Sequence, residues 1–535
     1  MLAISMRLKL LLQIIFLAQS LNYGEGKNIF FYGGVSGISH RISVWPLVEK
    51  LADKGHNVTF FSPFPPKVPN HKVHEIIPEN FLQKMGLTVD FLGARLEAGA
   101  PAISKIWNGY IDFSINSCEV VMQDAKLVEW IKSSSYDLVF VNGFFNDCGL
   151  ALSHYFKAPH IIFGTVTYLG WWSESYGFAD ENLPELQYHL PSNMNFFERA
   201  FNLLRPLHWH YNRLNKVFPR IEAAVSKGLN LTDLPPLHEI ERNVAFIFVN
   251  AHHTTDYPRS TPPLIVEVGG IHLTETTRPL SKDLMDFIDA GKKGFIYFSF
   301  GTFAKPETLP VIYKDMFFES MRTFKDIQFI VKWNEESVPN LPKNVKIAQW
   351  VSQQDILAHP KIHAFISHGG LLGNQEAVYH GVPLILIPLF GDQDFNADRT
   401  SEQGRGIVLE IMTMTQRKLE DAIMEITTNP KYKANAKHTS KLFRDKKSKP
   451  LEDAIWWTDY VLRHGGNTAH LKPVGMSRTW YERRQLDVWS FFLFMVMATL
   501  LMLTGLVGGL LYMISRMLAM VRTQPEKKVA NKKKK

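Results

Sequence analysis

Residues 350–393 read WVSQQDILAHPKIHAFISHGGLLGNQEAVYHGVPLILIPLFGDQ. A polar, aromatic-headed start leads into a short apolar strand at residues 364–366. The chain then turns through Ser367-His368-Gly369-Gly370, takes up helical spacing past Glu376, and re-enters an apolar strand at residues 383–389. A strand, a glycine turn and a helix start supply what a pyrophosphate needs. They offer bare amide N–H groups, close backbone approach and the positive end of a helix dipole. A glycine pair after a strand is common by itself. The set of Trp350, Gln353, His368, Gly370, Glu376, Asp392 and Gln393 at fixed offsets is far more specific.

That set resembles the signature of the UDP-glycosyltransferases, the family that includes the UDP-glucuronosyltransferases. The resemblance implies an α/β protein of GT-B fold, two Rossmann-like domains facing a cleft. It also implies a role for each matching position. Trp350 would stack on uracil, and Gln353 would bond the uridine. His368 and the amides near Gly370 would hold the diphosphate, while Glu376 would bridge the ribose hydroxyls. Asp392 and Gln393 would read the sugar hydroxyls. Thr302, Gly373, Asn374 and Arg259 are expected to join them in donor binding, and Lys332 matches a second basic position near the donor. The chemistry suits these tasks: a flat ring for a base, a carboxylate for a diol, donors for an anion.

Working outward, residues 28–33 read as an apolar strand running into Gly33-Gly34-Val35-Ser36-Gly37. Helical spacing follows through Trp45, Val48 and Leu51, then a second strand at residues 57–61. This is a βαβ opening and predicts a parallel sheet. Further strands are predicted at residues 137–141 and 161–163. Residues 258–279, rich in proline and threonine, read as a linker. Strands then restart at residues 294–300, 329–333 and 345–347. Neither opening strand leads into a G-x-G-x-x-G fingerprint, which argues against a nucleotide-dependent oxidoreductase.

Sugar transfer to a hydroxyl needs a base for the acceptor proton. His40 follows the first strand and its glycine turn, at the sheet edge where α/β ligands bind. Its spacing to Gly55-His56-Asn57-Val58-Thr59 resembles the family's catalytic histidine. The family then places a carboxylate at the end of a later strand, and the matching position here is Asn142. An amide accepts a hydrogen bond but offers no charge to an imidazolium. Asp147, five residues on, is an alternative partner from the loop. The resemblance therefore implies two readings. One is an inverting transferase acting on a hydroxyl of a small lipophilic acceptor; UDP-glucuronate is the first expected donor and UDP-glucose the second. The other is a catalytically weak UDP-sugar-binding relative or partner subunit. No cofactor is expected, since the UDP-sugar is a co-substrate. No metal is expected either, although Asp392-Gln393-Asp394 spells a D-x-D. Association as a homo- or hetero-oligomer is left open.

The 535-residue chain carries a net charge of +8. Residues 516–535 hold eight Lys/Arg against one Glu, and Arg7 and Lys9 lie near the start, so the large middle is nearly neutral. No basic face is indicated, and nucleic acid is excluded as a partner. Residues 1–20 read as a signal peptide, with a basic start and an apolar run ending at Ala18-Gln19-Ser20. Residues 488–515 carry no charge and predict a transmembrane helix followed by a basic tail, a type I layout. The terminal lysine run resembles an endoplasmic-reticulum retrieval signal.

The expected order is signal peptide 1–20, acceptor domain 21–270, donor domain 271–450, closing helices and membrane-proximal segment 451–487, transmembrane helix 488–515 and cytosolic tail 516–535. This puts a lumenal body on the endoplasmic-reticulum membrane. Sequons at Asn57 and Asn230 are compatible with a lumen. Whether Cys118 and Cys148 pair is left open. Residues 195–218 interleave aromatics with arginines, as a membrane-resting face, a pocket mouth or a core-packed helix would.

Overall fold

The structure, a computed structural model, describes residues 26–523 apart from 67, 87–90, 100–101, 179–180 and 303. The expected signal peptide and residues 524–535 of the expected cytosolic tail lie outside the described residues.

Short runs of β-branched and aromatic residues build two wholly parallel sheets. The first holds β1 (Asn28–Tyr32), β2 (Asn57–Phe61), β3 (Val73–Ile76), β4 (Leu138–Asn142), β5 (His160–Gly164), β6 (Phe246–Val249) and β7 (Ile265–Glu267). The second holds β8 (Phe295–Ser299), β9 (Gln328–Lys332), β10 (Val345–Ala348), β11 (Ile362–Ser367), β12 (Leu384–Leu386) and β13 (Gly406–Val408). Their spatial orders are β3-β2-β1-β4-β5-β6-β7 and β10-β9-β8-β11-β12-β13. In each sheet the order reverses beside its first strand, between β1 and β4 and between β8 and β11. Ligands of such sheets bind at the carboxyl ends of the strands at that switch point.

Both faces of each sheet are buried, as parallel sheets require. On β1, Phe30 and Tyr32 enter one cluster while Ile29 and Phe31 enter the opposite one. On β8, Ile296 and Phe298 face one way and Phe295 and Tyr297 the other. The helix Pro450–Arg463 returns to the first sheet. Ala454 and Val461 bury beneath it, and Trp457 stacks on Phe246 with ring centroids 4.3 Å apart.

One sequence expectation is corrected. The supposed linker at residues 258–279 contributes β7, a strand of three residues that is too short to rise above its proline-rich surroundings. Of the readings left open for residues 195–218, a helix is observed: residues 196–218 are helical, in a run that continues through the helix Phe218–Leu229. That segment divides its faces: Phe196, Phe197, Leu204 and Tyr211 are exposed, while Trp209, Val217 and Phe218 are buried.

The segment from Ser477 onward forms a separate unit. Its helix Leu486–Arg522 runs 37 residues with no residue buried, and its most apolar window has a mean hydropathy of 2.3. It is long and apolar enough to cross a bilayer, and it extends beyond the charge-free residues 488–515 at both ends.

Candidate active site

The donor side is built where β8 and β11 end. Gly301 and Thr302 follow β8. Ser367 closes β11, and the chain then turns at Gly369, whose φ of +87° favours glycine, into the helix Leu371–His380. Gly370 is needed for space, because a Cβ there would lie 2.6 Å from His368 Nε2. As the N-cap it brings no side chain to the helix start. The Leu371 N–H meets the Asp392 carboxylate, and Leu371, Leu372 and Gly373 line the cavity with the start of the helix.

His368 lines the same cavity, and its Nδ1 is buried without a partner. Burial, helped by the charge of Lys332, pushes its pKa down to about 4, so the ring is neutral near pH 7. Lys332 Nζ donates to the Gly301 carbonyl and lies 5.0 Å from the centre of the Trp350 ring. Trp350 is 53% exposed, which leaves a large aromatic surface available for a base. Gln353 Nε2 donates to Glu376 Oε2 at 2.5 Å. Burial raises the Glu376 carboxyl to about 7.

Asp392 and Gln393 stand after β12 at the start of the helix Gln393–Glu402. Gln393 Oε1 accepts from the N–H groups of Leu389 and Phe390 at 2.8 and 3.1 Å, which leaves its NH2 group to serve the cavity. Asp392 accepts from Asn396 at 2.9 Å, and burial raises its carboxyl to about 6. Asp394, the other acid of the D-x-D, is bound by Arg95 at 3.0 and 2.9 Å. Among the described residues, no three His, Cys, Asp or Glu side chains gather to hold a metal ion.

The opposite wall comes from the first sheet. His40 lies in the first turn of the helix Ile38–Asp53, just past β1, and lines the cavity shared with Thr302, Trp350, Gln353, His368, Gly370, Gly373, Asp392 and Gln393. Burial pushes its pKa down to about 4. Phe144 packs edge-on against its ring at 4.9 Å. Thr165 Oγ1 lies 2.7 Å from His40 Nδ1. Asn142, the last residue of β4, places its Nδ2 3.5 Å from the same nitrogen, and its Oδ1 accepts from Thr165 Oγ1 at 3.1 Å. Beside His40 an apolar recess is walled by Val35, Met85, Tyr110, Phe113, Phe144 and Phe390.

Some expected residues sit elsewhere. Asp147 is not a partner of His40. It is bonded by Arg213 at 2.5 Å and by Ser114 at 3.3 Å, because the buried Arg213 guanidinium needs carboxylates, and it takes Glu241 as well at 2.8 Å. Arg259 is absent from the cavity lining. Its side chain is 2% exposed, 3.6 Å from Asp256 and over the Tyr168 ring. Asn374 is turned toward Thr400 and Arg405, each at 3.5 Å. Glu376 reaches the cavity only through Gln353.

Thr165, Tyr110 and Trp107 line the cavity and were not singled out by sequence reasoning. Thr165 had a usable signal, since it follows a β strand next to β4. The two cysteines form a disulfide between Cys118 and Cys148.

Residues 36–524 match the family described as UDP-glucoronosyl and UDP-glucosyl transferase. The UDP-glycosyltransferase UGT5 of Dactylopius coccus is 31% identical over 475 residues, covering 87% of this chain and 88% of that protein. The UDP-glucuronosyltransferase 1A8 of Rattus norvegicus is 30% identical, covering 86% and 87%. Among solved structures, the glycosyltransferase VinC in complex with DTDP superposes with a TM-score of 0.57 at 16% identity, covering 82% of this chain and 99% of that one. The calicheamicin glycosyltransferase CalG4 gives a TM-score of 0.55 at 17% identity, covering 83% and 100%. These two likenesses bear on the fold, which is GT-B.

Proposed function

Because the chain belongs to the UDP-glucoronosyl and UDP-glucosyl transferase family, we propose that it moves a hexose from a UDP-sugar to a hydroxyl of a small lipophilic acceptor, inverting the anomeric centre. One observation carries this reading. His40 of the first sheet and the helix start at Gly370–Gly373 of the second line a single cavity.

His40 Nε2 takes the acceptor's hydroxyl proton while that oxygen attacks the anomeric carbon. The bond from this carbon to the β-phosphate oxygen breaks, and the electron pair leaves on UDP. The developing charge is met by the helix N–H groups, His368 and Lys332. Trp350 stacks on the uracil, Gln353 and Glu376 serve the uridine and ribose, and Asp392 with Gln393 reads the sugar. The apolar recess beside His40 takes the acceptor. No metal enters the scheme. UDP-glucuronate is the first donor to test and UDP-glucose the second. The helix Leu486–Arg522 anchors the protein in a membrane, with a lumenal body in the endoplasmic reticulum.

The test is an assay in microsomes that offers UDP-glucuronate, UDP-glucose and UDP-xylose separately with a simple phenol, and reads UDP release beside a His40→Ala control. Turnover with one donor that vanishes in the control supports the reading. A second reading, a weak relative that binds UDP-sugar, is favoured by Asn142 standing where the family has a carboxylate. UDP binding without turnover for any donor would select it.

A further inference from the structure

We infer that Thr165 is a positioning residue that holds His40 in its productive tautomer, through the relay His40 Nδ1–H to Thr165 Oγ1 and Thr165 O–H to Asn142 Oδ1. The inference rests on the reading of His40 as the general base.

The Phe144 backbone N–H is a donor only, and it lies 3.0 Å from Asn142 Oδ1. It therefore fixes the amide with its oxygen toward Phe144 and its NH2 toward His40. That NH2 group stands 3.5 Å from His40 Nδ1 and cannot accept a proton from it. A carboxylate at position 142 would accept directly; the amide presents the wrong polarity.

Thr165 supplies the missing acceptor. β4 and β5 pair with Asn142 beside Phe163, so Thr165, just past Gly164, lands next to the end of β4. Its Oγ1 is 2.7 Å from His40 Nδ1 and 3.1 Å from Asn142 Oδ1. A threonine hydroxyl has one proton. When that proton goes to Asn142 Oδ1, the oxygen's lone pairs face Nδ1, which must then carry the ring proton. Nε2 is left bare, as a base requires. In the opposite tautomer Thr165 would turn its proton onto Nδ1 and forfeit the bond to Asn142, and Nε2 would be blocked. Thr165 is 5% exposed, so water does not readily replace it. Removing its hydroxyl leaves, among the described residues, the Asn142 NH2 group as the polar atom facing Nδ1. That favours the blocked tautomer.

The experiment compares steady-state turnover in the full-length protein and in Thr165→Val, Thr165→Ser, the double variant Thr165→Val/Asn142→Asp, and His40→Ala. UDP binding to each by calorimetry shows that the donor half is folded. Thr165→Val is expected to lose about 10²-fold or more in kcat, with the acceptor KM little changed. Thr165→Ser restores turnover, because it returns the hydroxyl. The double variant also restores it, because a carboxylate at 142 accepts from Nδ1–H without the relay. A merely structural role for Thr165 would not be rescued in this way. Parental turnover in Thr165→Val, or a double variant as slow as Thr165→Val, overturns the inference. Full activity in His40→Ala would instead overturn the assignment of the base itself.

Discussion

Gln353 Nε2 donates to Glu376 Oε2 across 2.5 Å, and Gln353 lines one cavity with the exposed ring of Trp350. Burial holds the Glu376 carboxyl at about 7, so in the empty site it is substantially protonated below neutrality. In the proposed scheme the ribose hydroxyls take the place of Gln353 and donate to the ionised form, and UDP must therefore displace a proton at low pH. Affinity for UDP is expected to rise with pH through about 7 and to weaken by up to about tenfold per unit below it. Asp392, at about 6, adds a second loss for the whole UDP-sugar. Calorimetry from pH 5.5 to 8 checks this, and Glu376→Gln should flatten the curve. Equal UDP affinity at pH 6 and pH 8 in the parent would refute it.

Asn142→Asp acts on His40. Burial alone holds the ring at about 4, so its acid limb of kcat/KM is expected at low pH, with a plateau through neutrality. A carboxylate 3.5 Å away favours the imidazolium and raises that pKa. The acid limb should then move to higher pH, while kcat near pH 8 is kept or increased. Identical pH profiles for parent and variant would mean that position 142 does not act on His40.

Arg95 precedes β4 in the chain but bonds Asp394 and Glu410, next to Asp392-Gln393, which are proposed to read the sugar. Leu92, on the same short helix, is buried in the core of the second sheet. Arg95→Met leaves the buried Asp394 without its counter-charge, at a cost of about 3–5 kcal/mol. The thermal midpoint should fall by several degrees, and donor KM should rise more than acceptor KM because the helix Gln393–Glu402 loses its anchor. An unchanged midpoint would show that the ion group is not stabilising.

The parts legible in the sequence are those set by local pattern. Residues 57–61 are both the expected strand and the observed β2, and residues 364–366 lie inside β11, because buried parallel strands are rich in apolar, aromatic and β-branched residues. The glycine turn at Gly369-Gly370 announces the donor site for the same local reason. Thr165, Tyr110 and Arg95 were not legible. Thr165 meets His40 across 125 positions and Arg95 meets Asp394 across 299. Such pairs depend on strand order and on how the two sheets face each other. Arg259 shows the converse: its place in the sequence suggests a donor contact, while burial gives its charge to Asp256.

The Cys118–Cys148 bond, with both residues fully buried, ties the helix Ala102–Gln123 to the segment that follows Phe144. Tyr110 and Phe144 form two walls of the apolar recess beside His40, proposed to take the acceptor, and their ring centroids are 4.9 Å apart. Closing a loop of this size contributes about 3–4 kcal/mol in the chain-entropy account. Cys118→Ala/Cys148→Ala is expected to lower the thermal midpoint and to raise acceptor KM more than donor KM. Mass spectrometry after thiol alkylation without reductant should find both cysteines unlabelled in the parent. Labelling of both would mean that the bond does not form.

A chelator test addresses the Asp392-Gln393-Asp394 sequence. A metal held on the diphosphate by a D-x-D draws on one or two carboxylates with free oxygens. Asp394 is occupied by the buried guanidinium of Arg95, and Asp392 accepts from Asn396. In the proposed scheme the charge that a cation would offset is met instead by the helix start after Gly370, by His368 and by Lys332. Turnover in EDTA is therefore expected to equal that in added magnesium. Lys332→Met, by contrast, should lower kcat, since it removes a positive charge from the cavity that holds the leaving group. Activity abolished by EDTA and restored by magnesium would require Asp394 to leave Arg95, and would overturn this assignment.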